Sequence, residues 1–193
     1  QYVRWLRGFL TGDLGVSYIS GNDVFSTFVS KLPATLFLTG SSMLLTVIIS
    51  LPLGILAAVR QNKFTDYLIR TSSFIGSSLP NFFVALLLMY FLSIRLPVFP
   101  VISEGINIKS IVLPTLTLGI AMSARYLRQI RAAVLEELGK EYVAGEKARG
   151  IEFSATLWKS VLRSCLVTIL TLMALSIGSL LGGTAIVESI FMW

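Results

Sequence analysis

The sequence predicts an all-α integral membrane protein, a bundle of transmembrane helices, on three observations. Of its 193 residues 54% are hydrophobic and only 13% charged, against roughly 25% charged in soluble domains. Mean hydropathy is +0.80. Four apolar stretches reach the roughly 20 residues needed to cross a hydrocarbon core about 30 Å thick, and none alternates with the period of a strand.

The elements follow in order. The opening stretch QYVRWLRGFLTGDLGVSY sets Tyr2, Trp5, Leu6 and Phe9 on one helical stripe, with Arg4 and Arg7 beside it, and stops at a Gly12–Asp13 turn. Two readings stand for it: a helix lying in the membrane interface, or one packed on the outer surface of the protein. The first span is expected from about Leu32 to Val59, without a single charge. The second runs from about Ser72 to Leu96, with only Arg95 near its end. The third starts near Ile111 and stays apolar to Arg125. The fourth covers about Val161 to Val187, between Arg163 and Glu188. The predicted organisation is an extracytoplasmic or interfacial segment, 1–31, and a transmembrane domain, 32–193, with a cytoplasmic loop at 126–160. A start at Gln1 and an apolar finish at Trp193 read as a segment of a longer protein.

Charge placement orients the spans, because Lys and Arg gather in short cytoplasmic loops. The connections after spans one and three hold eleven of the sixteen basic residues: Arg60, Lys63, Arg70, Arg125, Arg128, Arg131, Lys140, Lys147, Arg149, Lys159 and Arg163. They are assigned to the cytoplasm. The segment before Lys31 and the 97–109 loop then face outward. This distribution accounts for the net charge of +6 without a nucleic-acid partner. With no histidine and a single cysteine, Cys165, the chain forms no internal disulfide and no His/Cys metal site.

Helical patterning continues past the bilayer into the long cytoplasmic loop. Leu127, Ile130, Val134 and Leu138 repeat at three- and four-residue spacing, with Arg128, Arg131, Glu136 and Glu137 assigned to the wet side. After Gly139 a short helix is expected over Glu141–Arg149, rich in Ala144, Gly145 and Ala148. Gly150 follows where a left-handed C-cap costs little. Small side chains let another backbone approach closely, and Lys147 and Arg149 flank them. Two readings remain open: a helix that enters a cleft on a partner, or a solvated basic loop. A third apolar pattern, Phe153, Leu157, Trp158 and Val161, leads back to the membrane.

Polar groups inside a bilayer are costly and mark pathways. Ser77, Ser78 and Asn81 surround Pro80, which removes a backbone hydrogen bond. They are candidates for a pathway, or for polar neighbours that satisfy a kink. Gly178 and Gly182, extended by Gly183, have a spacing that suits close helix packing, including contact with a partner subunit, or a pore wall. Glu188 is left between an external receptor and the headgroups.

The stretch YVAGEKARG, ten residues and then VLRS resembles the EAA loop of ABC-importer permeases. Ala144 stands at that motif's leading acidic position, Gly150 at its glycine, and Arg163 where the usual Leu-Pro has proline. QYVRWLRGFLTGDLGVSY, LPATLFLTG, SLPLGILAA, SSLPNFFVALLLMYF, VLPTLTLGI and GGTAIVESIFMW then resemble, in order and along nearly the whole chain, the dipeptide/oligopeptide/nickel permease branch. The resemblance implies spans two to five of six. It also implies a second permease subunit, two ATP-binding subunits that carry ATP and Mg, and an extracytoplasmic solute-binding protein, all at a bacterial or archaeal plasma membrane. Glu141, Tyr142, Ala144, Gly145, Glu146, Ala148, Arg149 and Gly150 would form the helix that couples to the ATPase. The chain has no G-x-x-x-x-G-K-[ST] phosphate loop, so no catalytic residue, cofactor or metal is assigned to it.

Two rival classes are distinguishable. A secondary transporter or channel commonly keeps carboxylates or histidines in the membrane, and spans one to three as drawn contain no acid. A scaffold or anchor explains the hydrophobicity but not the loop. The run YISGNDV…KFTDYLIRT leans toward nickel-type permeases. The residue types present could not strip and ligate free Ni²⁺ by imidazole or thiolate, which is compatible with passage of a chelate or of a di- or oligopeptide.

Overall fold

The computed structural model describes residues 2–101 and 107–192 and is helical throughout its main elements. It forms two compact units, Gln1–Phe37 and Leu38–Trp193. In the first, α1 (Tyr2–Leu10) stacks Trp5 between Tyr2 and Phe9, with ring centroids 6.0 and 5.6 Å away. This is the predicted aromatic stripe. A single bridge pairs Val16 with Asp23. The Asp23 carboxylate accepts from the Ser26 amide at 2.7 Å, the bond that caps a helix start. From there α2 runs Val24–Val59, entering eight residues before the predicted span.

The second unit is the bundle. It continues with α3 (Phe64–Ser78) and α4 (Asn81–Met89), the latter extended by a π-helical turn, Tyr90–Arg95. The longest helix after α2 is α5 (Ile108–Leu138), and α6 (Glu141–Ala148) follows it. A short α7 (Phe153–Ala155) passes through a π-helical stretch, Thr156–Val161, into α8 (Leu162–Gly183), and α9 (Ala185–Phe191) ends the described chain. Among the described residues three helices are long and apolar enough to cross a membrane, Val24–Val59, Lys109–Leu138 and Phe153–Gly178. The pair Phe64–Ser78 and Asn81–Arg95 makes a fourth only as a bent span, turned by 96°.

That bend falls at the kink weighed for Pro80, in a second span that begins at Phe64 rather than about Ser72. Pro80 has no amide hydrogen and restricts the residue before it to extended backbone, and Leu79 sits at φ −86°, ψ 131°. The helix of the third span continues without interruption past Arg125 to Leu138 and stops at Gly139, as the patterning predicts. Of the outward 97–109 connection, residues 102–106 lie outside the described residues.

The directions of the helices follow from who meets whom. Ser41 bonds Thr115 at 2.9 Å, a Cβ on Gly119 would meet Leu45, and one on Gly54 would meet Leu127 and Ile130. Partners advance together, so α2 and α5 run parallel. Asp66 meets Arg131, while Ser73 and Ser77 meet Arg128, so α3 is antiparallel to α5. The ends of α2 and α5 therefore emerge on one side, as the charge distribution requires.

The contact of α2 with α5 uses a stripe of small residues rather than interlocking aliphatics. Ser42, Thr46, Ser50, Gly54, Ala57 and Ala58 are all buried. Small side chains allow the close backbone approach on which helix association in lipid depends. A Cβ on Gly54 would lie 2.8 Å from Ile130 Cγ2 and 3.1 Å from the Leu127 carbonyl oxygen. Gly54→Ala is therefore expected to cost about 1–3 kcal/mol through overpacking, measured as a lower melting temperature of the detergent-solubilised subunit, whereas Gly145→Ala, in open space, leaves it unchanged.

Candidate functional site: the α6 loop and the bent span

The patterning read along α5 places its core stripe correctly. Ile130 and Val134 are completely buried, and Leu127 nearly so. Ile130 and Val134 pack with Ala58, Leu157, Val161 and Cys165, joined by Tyr142 and Val143 from α6, and Leu127 packs with Ala57 and Ile69. α6 is held at both ends of its inner face by side-chain bonds. Tyr142 Oη donates to Glu137 at 3.0 Å, and Ser160 Oγ donates to Glu146 at 2.7 Å. The outer face is bare: Ala144, Gly145, Ala148 and Arg149 are exposed, as is Glu141. An open groove of about 800 Å³ separates α6 from the ends of α2 and α5, with Ala144 and Lys147 on its rim.

Gly150 adopts φ +78°, the left-handed conformation predicted for it, in which a side chain is strained. It lets the Ile151 amide reach back to the Glu146 carbonyl at 3.1 Å, closing α6 and sending the chain to Phe153. The return helix starts with a π-helical stretch, Thr156–Val161, and Ser160 within it is the anchor for Glu146. Hydrogen bonds from Thr156 and Ser160 hold the Glu146 carboxyl below its ordinary value. A depressed carboxylate contributes stability that is complete above its unfolded pKa, about 4.3, and is lost as pH falls through the folded value. Hydrogen exchange of the α6 amides, corrected for intrinsic rate, should accelerate below about pH 4.3 in the wild type. In Glu146→Ala it should already be fast at neutral pH and show no such dependence.

Two residues assigned to the wet side are largely buried, Arg131 and Glu137, whose side chains are 16% and 14% exposed, while Arg128 is exposed as expected. Arg131 turns onto α3 and grips Asp66 with both arms, Nε to Oδ1 and Nη2 to Oδ2, each at 2.7 Å. Asp66 is fully buried, and Arg131 retains 16% exposure. The same carboxylate accepts from the Asn62 amide at 3.0 Å, where Asn62 takes φ +60°, a conformation asparagine tolerates. This also corrects the expectation that the first three spans hold no acid, because α3 begins at Phe64 and includes Asp66. Arg128 reaches the far end of α3, donating to Ser77 Oγ at 2.7 Å and the Ser73 carbonyl at 3.3 Å. A cation there also faces the negative end of the helix dipole.

The bend brings two of the three candidate pathway residues together. Ser77 and Asn81 line a cavity of about 240 Å³ with Arg125, Tyr126 and Ser176. Ser78 is not in its wall. Its hydroxyl donates to the Phe74 carbonyl at 2.9 Å, as does that of Ser77 at 3.0 Å, so both serines bond back onto the last turn of α3. Tyr126 Oη donates to the Leu172 carbonyl at 2.9 Å and ties α5 to α8. Gly178 has no atom within 4 Å of a hypothetical Cβ. Among the described residues the close interhelical approaches are made by Gly54, Gly119 and Gly76 instead. Gly182 and Gly183 close α8, and their surroundings lie outside the described residues. Glu188 is half-buried on α9.

The chain is thus a multi-pass helical membrane protein with a bent span, a cavity at the bend and a short exposed helix beside the long ones. Residues 50–193 match the family described as binding-protein-dependent transport system inner membrane component, and the chain belongs to that family. Among its relatives is the oligopeptide transport system permease protein AppB of Bacillus subtilis, 36% identical over 203 aligned positions, covering all of this chain and 64% of AppB. The metal-staphylopine import system permease protein CntB of Staphylococcus aureus is 33% identical over 194 positions, covering 100% and 61%. The glutathione transport system permease protein GsiC of Escherichia coli K12 is 33% identical over 193, covering 100% and 63%. The chain thus spans a little under two thirds of these relatives.

Proposed function

We propose that this chain is the pathway-forming and force-receiving part of a permease subunit in an ATP-driven importer of peptide-like solutes or metal chelates. What carries the reading is α6, a short helix with an exposed small-residue face, bonded through Glu137 and Ser160 to the two long helices that cross the membrane on either side of it. A helix so mounted passes a push from a partner into α5 and α8 together. The partner is a separate ATP-binding subunit, whose nucleotide and Mg are its own, and this chain hydrolyses nothing. A second permease subunit packs against the face of α8 left open at Gly178, and an extracytoplasmic solute-binding protein delivers cargo from outside.

The solute class rests on the relatives, named for oligopeptides, glutathione and a metal–staphylopine complex. The Ser77–Asn81 bend and its cavity are the segment of pathway this subunit contributes. An ion-coupled secondary transporter is the weaker reading, because no carboxylate lines the cavity among the described residues, and Asp66, the acid of α3, has both oxygens engaged by Arg131. Purification of the full-length subunit from its native membrane tests the proposal. A stable complex with an ATP-binding protein, and uptake into proteoliposomes that requires ATP, is the expected result. Undiminished uptake without any ATPase overturns it.

A further inference from the structure

Outside the coupling loop and the pathway cavity, a groove of about 730 Å³ lies between α2 and the start of α8. Its walls are apolar, with Leu51 and Ile55 on one side and Trp158, Leu162 and Leu166 on the other. Its two cations, Lys159 and Arg163, are one helical turn apart at the cytoplasmic end. Neither makes a salt bridge among the described residues. Trp158 is 67% exposed, at the level where amphipathic aromatic rings settle in a membrane interface. Everything deeper is hydrocarbon.

From this arrangement we infer that the groove holds an anionic phospholipid of the cytoplasmic leaflet, its phosphate between Lys159 and Arg163 and one acyl chain along Leu51, Ile55 and Leu166. The charge complementarity selects the occupant. An apolar helix of another subunit would leave two cations facing it without a partner, at a desolvation cost. A zwitterionic lipid would bring its own ammonium to them. An anionic headgroup satisfies both, and basic recesses between spans on the cytoplasmic side recognise such headgroups. The inference is independent of the solute carried. Because the groove joins α2 to the helix that follows α6, an occupant would brace the hinge through which a push enters.

The experiment uses the full-length subunit in its assembled complex, reconstituted in nanodiscs of mixed phosphatidylglycerol and phosphatidylcholine, with one or the other lipid brominated. The Trp158 signal is the difference between wild type and Trp158→Phe. Brominated phosphatidylglycerol is expected to quench it at about one tenth the mole fraction that brominated phosphatidylcholine needs, given two basic contacts. Lys159→Gln/Arg163→Gln should abolish the preference, and Lys159→Arg/Arg163→Lys should keep it. Equal quenching by the two lipids, a preference that survives removal of both charges, or no quenching because a protein helix fills the groove would each overturn the inference. If the neutral variant fails to assemble, the wild-type preference is read across ionic strength instead. It should fall as salt screens the headgroup contact, and a salt-independent preference counts against the site.

Discussion

Replacing Asp66 with alanine is expected to destabilise the subunit by about 3–5 kcal/mol, because it strands the Arg131 guanidinium in a largely buried site. The pair joins residues 65 positions apart, and its geometry is the bidentate form that guanidinium and carboxylate favour. Loss of one partner costs more than loss of both. The double variant Asp66→Ala/Arg131→Ala should therefore recover much of the deficit, and a double-mutant cycle on thermal unfolding in detergent would show the coupling. Additive single effects would mean that the pair does not hold α3 to α5. The consequence reaches transport as well, since α3 leads into the bend at Leu79–Pro80 and α5 leads into α6. With the strut gone, a push at the loop moves α5 without moving the bent span, so ATP-driven uptake should fall more than the amount of assembled complex.

A bulky residue at Gly150 is expected to have the opposite signature, little loss of assembly and nearly complete loss of transport. The glycine's φ of +78° costs a side-chain-bearing residue about 1–2 kcal/mol, which a bundle of this size tolerates. No atom of the chain lies within 4 Å of the added Cβ, so the substituent projects from the exposed end of α6, where the ATP-binding subunit is proposed to sit. Gly150→Leu should leave ATP hydrolysis running and binding of the solute receptor intact, while uptake drops by at least about tenfold, equivalent to roughly 1.4 kcal/mol of lost coupling. Gly150→Asn, a residue that accepts the left-handed conformation, should retain more activity than leucine. Normal uptake by the leucine variant would remove α6 from the path of force.

The signals that the sequence displays are the local ones. Apolar runs of membrane length marked the helices, span order put the two basic connections on one side, as the parallel α2–α5 contact does, and the Leu127–Ile130–Val134 stripe gave the buried face of α5. Gly150 was visible as a cap because its conformational demand is its own. What escaped depends on partners distant in sequence. Pro80 announces a break, but its angle is set by the packing of α4 on α5 and α9. Arg131 looked solvated because its partner is 65 residues away. The available hint was that Arg131 lies between Leu127 and Val134 on the helix, at the border of the apolar stripe, while Asp66 is the one acid of α3. The small-residue stripe of α2 was hidden by the overall hydrophobicity of its span, which drew the expectation of close packing to Gly178 instead.

Transmission of force through α6 is tested most directly by Ala148→Cys in the full-length importer. The position is exposed, and the native Cys165 is 1% exposed and contributes little background. A short bifunctional thiol–amine reagent applied to inverted vesicles should join residue 148 to the ATP-binding subunit and stop uptake. A membrane-impermeant maleimide added from the outside should leave the residue unmodified. Labelling from the outer face, or free uptake while that cross-link is complete, would contradict the account.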